Sequence, residues 1–279
     1  MNTEAMYSRL DSLADDLEGD LKYDRITQVI YATDASVYKE MPLAVIWPKS
    51  VSDLKKIIEF ASKERIGITM RAAGTSLAGQ VVSSGIIVDI SRYMKRTIEI
   101  NEEEMWARVE PGVVLDELNL ELKKRGLFFG PETSTSNRCN LAGMVGNNAC
   151  GSHSIIYGST RDHTIELKTI LSDGSEALFG PVDRKTFNSR SRLQNLEGEI
   201  YRKTREMLDD PANRKNILED YPDPGIPRRN TGYALDLLLS SCIFNEKSET
   251  PFNFCKLLAG SEGTLAVITE IKLNLVKLP

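Results

Sequence analysis

The sequence predicts an α+β chain in two units, a small α/β unit over residues 39–95 and a larger mixed-sheet α+β unit over 96–279, behind a helical lead-in at 1–38. Three observations predict it. Short apolar runs at 44–47, 68–71 and 86–90 are interleaved with a helical pattern, the order of a strand–helix–strand unit. From residue 97 onward the runs pair instead around turn signals, as hairpins do. A late segment, 263–276, then alternates apolar and polar residues as a half-buried strand does.

In the lead-in, Leu10, Leu13 and Leu17 recur at helical spacing before Gly19. Ala44-Val45-Ile46-Trp47 reads as a buried strand. After it, Ser50 or Ser52 can cap a helix whose apolar face is Leu54, Ile57, Ile58 and Ala61, with Gly67 as its closing residue. Strands follow at 68–71 and 86–90, separated by a Gly-rich loop. Runs 97–100 and 106–110 flank the acidic turn Asn101-Glu102-Glu103-Glu104 and pair as a hairpin, which Pro111-Gly112 breaks. A helix over 113–125 turns Leu115, Leu118 and Leu122 inward and stops at Gly126.

Residues 130–163 carry little periodicity and many Gly, Asn, Ser and Thr. A long irregular stretch of that kind inside a compact domain is usually functional. Runs 165–171 and 176–179 enclose Asp173-Gly174, a hairpin turn. Residues 184–230 are polar, with one helix expected near 195–208 and prolines at 222–227. In the final strand the apolar positions are Leu265, Val267, Ile268, Ile271, Leu273 and Leu275.

Composition narrows the function. With 279 residues, 41% hydrophobic and 27% charged, the chain has material for a sizeable core. A formal charge of −5 argues against a general nucleic-acid binder, which needs a basic stripe, though backbone N–H groups can hold a small anion without one. No apolar run approaches the roughly 20 residues of a membrane span. The polar, acidic first residues do not resemble a secretory signal, so the expected location is cytoplasmic, with or without peripheral attachment to the inner membrane. Cys139, Cys150, Cys242 and Cys255 form no C-x-x-C pair, and His153 and His163 are the only histidines. No metal site is expected within this chain.

Four segments carry candidate chemistry. In Arg71-Ala72-Ala73-Gly74-Thr75-Ser76-Leu77-Ala78-Gly79-Gln80, Gly74 and Gly79 have P-loop spacing. Gln80 and Val81, however, stand where the lysine and the magnesium-binding hydroxyl are needed, which argues against a nucleoside-triphosphate hydrolase. A loop of small residues after a strand can still present a concave row of N–H donors to a pyrophosphate, with Thr75 and Ser76 adding hydroxyls. The second segment runs from Gly130-Pro131-Glu132-Thr133-Ser134-Thr135 to Gly143-Met144-Val145-Gly146-Asn147-Asn148-Ala149-Cys150-Gly151-Ser152. Its glycines let backbone approach a flat ligand closely. The third, Gly260-Ser261-Glu262-Gly263-Thr264-Leu265, is a loop-to-strand junction. The fourth, Arg228-Arg229-Asn230-Thr231-Gly232-Tyr233, gathers two cations, an amide and a phenol.

Taken in order, RAAGTSLAGQ, GPETSTSNRCNLAGMVGNNACGS, RRNTGYAL and LLAGSEGTLAVITE resemble the FAD-linked oxidases of the vanillyl-alcohol oxidase/p-cresol methylhydroxylase superfamily. The similarity is to the branch of D-lactate, glycolate and D-2-hydroxyglutarate dehydrogenases, and it covers residues 39–276. The resemblance implies a two-subdomain, PCMH-type FAD-binding fold. It implies that Gly74, Thr75, Ser76 and Gly79, with Arg71 and Gln80, cradle the FAD pyrophosphate. Pro131, Glu132, Thr133 and Ser134 would lie beside the flavin, with Gly146, Asn147, Asn148, Ala149, Gly151 and Gly158 along the ring system and ribityl chain. Gly263, Thr264 and Ile268 would serve the adenosine end or the domain interface, and Asn230 and Tyr233 the substrate side.

Thr75 and Ser76 stand where some relatives attach flavin through a histidine, so FAD is expected to be non-covalent. The family's metal-binding histidines and substrate-gripping arginine belong to a later cap domain, which the resemblance places beyond Pro279. The implied substrate is a small 2-hydroxyacid, and the implied electron acceptor a quinone, a flavoprotein or an iron–sulfur domain. No residue here is assigned as catalytic base. A FAD-linked oxidase of another alcohol or sugar, or a FAD-binding module inactive on its own, shares the same loops.

Overall fold

The computed structural model describes residues 3–226, 228–229 and 232–279 and builds two main sheets. The first contains β1 (Asp20–Lys22), β2 (Ala44–Trp47), β3 (Ile68–Arg71) and β4 (Ile86–Asp89) in the order β1-β2-β4-β3. β4 runs parallel to β2 and β3, while β1 pairs antiparallel with β2. Every residue of β2 and β4 is buried, which explains why these strands read as unbroken apolar runs: a central parallel strand is covered on both faces.

One face packs Ile46, Ile86 and Val88 against Leu54, Ile57 and Ile58 of the Val51–Glu64 helix and Leu10 and Leu13 of the Thr3–Asp16 helix. The lead-in is thus helical at Thr3–Asp16 and Arg25–Tyr31 but contributes a strand between them. Ser50 caps the Val51–Glu64 helix by accepting from Asp53 N–H. Its end differs from expectation: Arg65 takes the left-handed conformation at φ 55°, so the chain turns two residues before Gly67.

The second sheet joins β5 (Thr97–Asn101), β6 (Trp106–Val109), β8 (Thr164–Ile170), β9 (Glu176–Phe179) and β10 (Val267–Asn274) in the order β5-β6-β10-β8-β9. All its pairings are antiparallel, and both expected hairpins form. A separate short antiparallel pair joins β7 (Leu127–Phe128) to β11 (Val276–Lys277). β10 alternates buried and half-buried positions, sending Val267, Ile271 and Leu273 inward and leaving Ile268 on the opposite face.

The main core lies beneath this sheet. It gathers the Leu115–Lys123 helix through Leu115, Leu118 and Leu122, and an aromatic cluster of Phe187, Tyr201, Phe252 and Phe254. The polar region after 184 holds three helices, Arg184–Ser191, Leu196–Asp209 and Pro211–Asp220, where one was expected. Ile170 and Val267 of the second sheet also enter the core of the first, so the two units share a packed seam. The site lies along that seam.

Candidate functional site

Beyond β3 the chain leaves the first sheet as a loop of small residues. Gly74 and Gly79 hold left-handed conformations at φ 64° and 77°, which side chains with a Cβ resist. Gly74 O accepts from Ala35 N–H, and Arg71 lies directly behind it: a Cβ on Gly74 would meet Arg71 Nη2 at 2.6 Å. The Arg71 guanidinium itself donates to Thr33 O at 2.9 Å and packs over the Tyr31 ring. It buttresses the loop.

The region expected to be irregular contains a seven-residue helix, Leu141–Asn147, flanked by Asn140 and by Asn148 at φ 47°. Leu141, Met144 and Val145 anchor it in the core, while Ala142, Gly143, Gly146 and Asn147 face outward. Gly143 is pressed so closely against the loop after β3 that a Cβ there would meet Ala72 Cβ at 2.9 Å. From the other side, Gly260 N–H and Glu262 N–H donate to Val145 O and Gly146 O, each at 2.9 Å. Three separated segments are thereby drawn together by backbone contact.

Between them lies a cleft of about 520 Å³. Its walls are Met70–Ala78 with Gln80 and Val81, Thr133–Thr135, Cys139–Cys150 in part, and Leu258–Ile268 in part, with Arg228 at one side. Of the positions singled out in the sequence, Arg71, Gly74, Thr75, Ser76, Gln80, Thr133, Ser134, Gly146, Asn147, Asn148, Ala149, Gly263 and Ile268 line it.

The others stand behind or beside the wall. Gly79 packs under the Tyr38 ring, and Pro131 is buried. Glu132 Oε1 accepts from Ser152 Oγ at 2.7 Å and lies 2.9 Å from His153 Nδ1. The Ser152 hydrogen bond, then the nearby His153, hold its carboxyl below the usual range. Gly151 abuts Glu132 O so tightly that a Cβ would lie 2.5 Å away, and Gly158 ends the Ser154–Tyr157 turn at φ 72°. Tyr233 Oη and Thr264 Oγ1 share a hydrogen bond of 2.6 Å at the rim. Asn230 lies outside the described residues.

Several lining residues had been given no role: Glu262 and Arg228, named only within their segments, and Asn140, Ala142, Cys139 and Leu258. Asn140 is the informative one. It is 2% exposed, donates Nδ2–H to Gly112 O at 2.7 Å, and has an Oδ1 with no donor among the described residues. A buried acceptor on a cleft wall suits a ligand that brings its own N–H. Cys139 sits beside Thr133, and burial pushes its thiol upward, away from reactivity. His163 is wedged between the carbonyls of Tyr157 and Asn274, and so holds backbone in place.

A cleft walled by glycine, alanine and hydroxyl side chains, with one unmatched buried acceptor, fits a long dinucleotide with a flat ring end. Known proteins agree. Residues 42–177 match the FAD binding domain family. D-2-hydroxyglutarate dehydrogenase of Haemophilus influenzae is 39% identical over 271 residues, covering 94% of this chain and 25% of that protein. Its Escherichia coli counterpart is 39% identical over 92% of this chain and 24% of its own length. Glycolate oxidase subunit GlcD of Bacillus subtilis is 32% identical over 53% of this chain and 32% of that protein. The chain therefore spans about a quarter of the length of the curated dehydrogenases it matches. Among solved structures, an alkyldihydroxyacetonephosphate synthase shares the fold with a TM-score of 0.62 at 16% identity, covering 100% of this chain and 41% of the other. Residues 42–177 of the chain thus form a FAD binding domain, and FAD is the cofactor that domain binds.

Proposed function

We propose that this chain is the FAD-holding part of a flavin-dependent 2-hydroxyacid dehydrogenase, and that its cleft is the flavin site. The observation that supports this most directly is the convergence of the Gly74 loop, the 133–150 segment, the 261–268 junction and Arg228 on a single cleft. The relatives carry the names D-2-hydroxyglutarate dehydrogenase and glycolate oxidase, which favours a 2-hydroxyacid over other alcohols or sugars.

When bound, FAD supplies a two-electron acceptor for the hydride on the substrate Cα, as the substrate hydroxyl becomes a 2-keto group. The chain's own part is to bind and orient. Thr75 and Ser76, on a loop set by Gly74 and Gly79, offer donors to the pyrophosphate; Thr133, Ser134 and the Gly146–Ala149 stretch flank the ring system and ribityl chain; Gly263 and Ile268 close the far side. Pro131, Glu132, Gly151 and Gly158 shape the segment from behind. Tyr233 and Thr264 hold the rim together. Arg228 is an exposed guanidinium on the cleft and suits the substrate's carboxylate or a flavin phosphate.

Attachment is non-covalent in this reading. The base, the metal and the remaining substrate contacts come from a cap domain, and electrons pass on to a quinone, a flavoprotein or an iron–sulfur domain. Among the described residues no helix is long and apolar enough to cross a membrane.

An absorption spectrum before and after acid precipitation tests this. Expected is a band near ~450 nm whose chromophore moves to the supernatant. A colourless chain that takes up no added FAD overturns the proposal.

A further inference from the structure

Arg161 does not line the flavin cleft, yet it joins two of the segments that do, through Asn148 and Ala259, to Gly232 beside the rim. It is 4% exposed, an unusual position for a cation unless its hydrogen bonds are filled. Its guanidinium donates from Nε to Ala259 O at 3.1 Å, and from Nη2 to Ala259 O and Gly232 O, both at 2.7 Å. Its acceptors are backbone carbonyls; Asp162 and Asp236 act on it through space. Its main-chain N–H donates to Asn148 Oδ1 at 2.8 Å, and its carbonyl accepts from Lys256 Nζ at 2.9 Å.

These partners are not scattered. Asn148 ends the Leu141–Asn147 helix on the cleft wall. Ala259 leads into Ser261, Glu262 and Gly263, which form another wall. Gly232 lies between Arg228, on the cleft, and Tyr233, which bonds Thr264. The packing leaves no slack: a Cβ on Gly260 would lie 2.5 Å from Arg161 Nη2. A planar guanidinium can hold two carbonyls from segments far apart in sequence at once, which a single ammonium or an apolar side chain cannot do in the same geometry.

We propose that Arg161 is a positioning residue for the flavin: by tying the Ala259 and Gly232 carbonyls beside Asn148, it fixes the spacing of the walls that receive FAD. The proposal rests on the FAD reading above. Its prediction is that loosening this knot spoils cofactor binding more than it spoils the fold: Ala259 belongs to the main core, but that core's largest buried side chains, Phe187, Tyr201 and Phe252, pack on one another.

The test uses the whole chain, stripped of flavin, with R161K and R161Q. FAD is titrated by the quenching of its fluorescence, the visible circular dichroism of the bound flavin is recorded, and thermal unfolding is followed without FAD. R161K is expected to unfold cooperatively within a few degrees of the unaltered chain, while its Kd for FAD rises at least about tenfold, or about 1.4 kcal/mol. R161Q is expected to be weaker still, and in both variants the flavin dichroism changes shape at saturation. Binding by R161K within about twofold of the unaltered chain, with unchanged dichroism, overturns the proposal. Loss of cooperative unfolding in both variants also overturns it, since Arg161 would then serve the fold. An unaltered chain that takes up no FAD overturns the functional reading instead, a separate result.

Discussion

Asn140 gives its amide N–H to the Gly112 carbonyl, while the oxygen of the same amide, equally buried, has no donor among the described residues. The residue lies on the cleft wall and is tied to the fold through its amide N–H. Asn140→Ala is therefore expected to act twice. Without flavin it should lose roughly 1–3 kcal/mol, because Gly112 O is left buried and unpaired. With saturating FAD the rise in melting temperature should also be smaller than in the unaltered chain. Melting curves with and without FAD check both halves. Equal rises in the two proteins would remove Asn140 from the site.

Glu132 gives a pH dependence with a definite sign. Its carboxyl is held below its ordinary value by Ser152 and then by His153. A depressed carboxylate contributes stability that is complete above its unfolded value, 4.5, and is lost as pH falls through the lower folded value. Glu132→Gln should remove that contribution, lowering stability slightly at neutral pH and flattening the acid limb so that the two proteins converge at low pH; the loss is small because the group is partly exposed to water. Melting temperatures between about pH 6 and pH 3 decide it.

Phe252 is fully buried and meets Phe187 and Phe254 with ring centroids 4.8 Å apart in both pairs. Phe252→Ala is expected to cost roughly 3–5 kcal/mol in denaturant unfolding, since the other rings cannot collapse into the gap. FAD affinity in the protein that remains folded should change little, as the cluster lies away from the cleft lining.

Thiol chemistry should divide by burial. The Cys255 thiol is pushed up to about 12, and Cys139 is also raised, in both cases by burial. Neither should react with iodoacetamide at neutral pH in the folded protein, and both should react in denaturant. Peptide mass mapping after timed labelling reads this out.

The strands that carry the fold were legible wherever burial imposed a pattern: the continuous runs of β2 and β4, the alternation of β10, and both hairpins. What escaped lacked one. β1 has three residues, too few to alternate. The Arg184–Ser191 and Pro211–Asp220 helices each bury a single large residue, Phe187 and Ile217, so no stripe marks them. The Leu141–Asn147 helix contains two glycines, poor helix formers, and is held by packing instead. In the site, glycine and hydroxyl runs announced themselves by composition. Asn140 and Arg161 did not, because their importance lies in partners 28 and 98 residues away.

The position of β10 carries a consequence for how the protein is made. It sits in the middle of the five-stranded sheet, between β6 and β8, although it is synthesised after both. As the chain emerges from the ribosome, two finished hairpins must wait with bare edges until residues 267–274 arrive to zip them together. That interval is when nascent chains on the same messenger can pair with one another's open edges, and where a chaperone's grip would matter most.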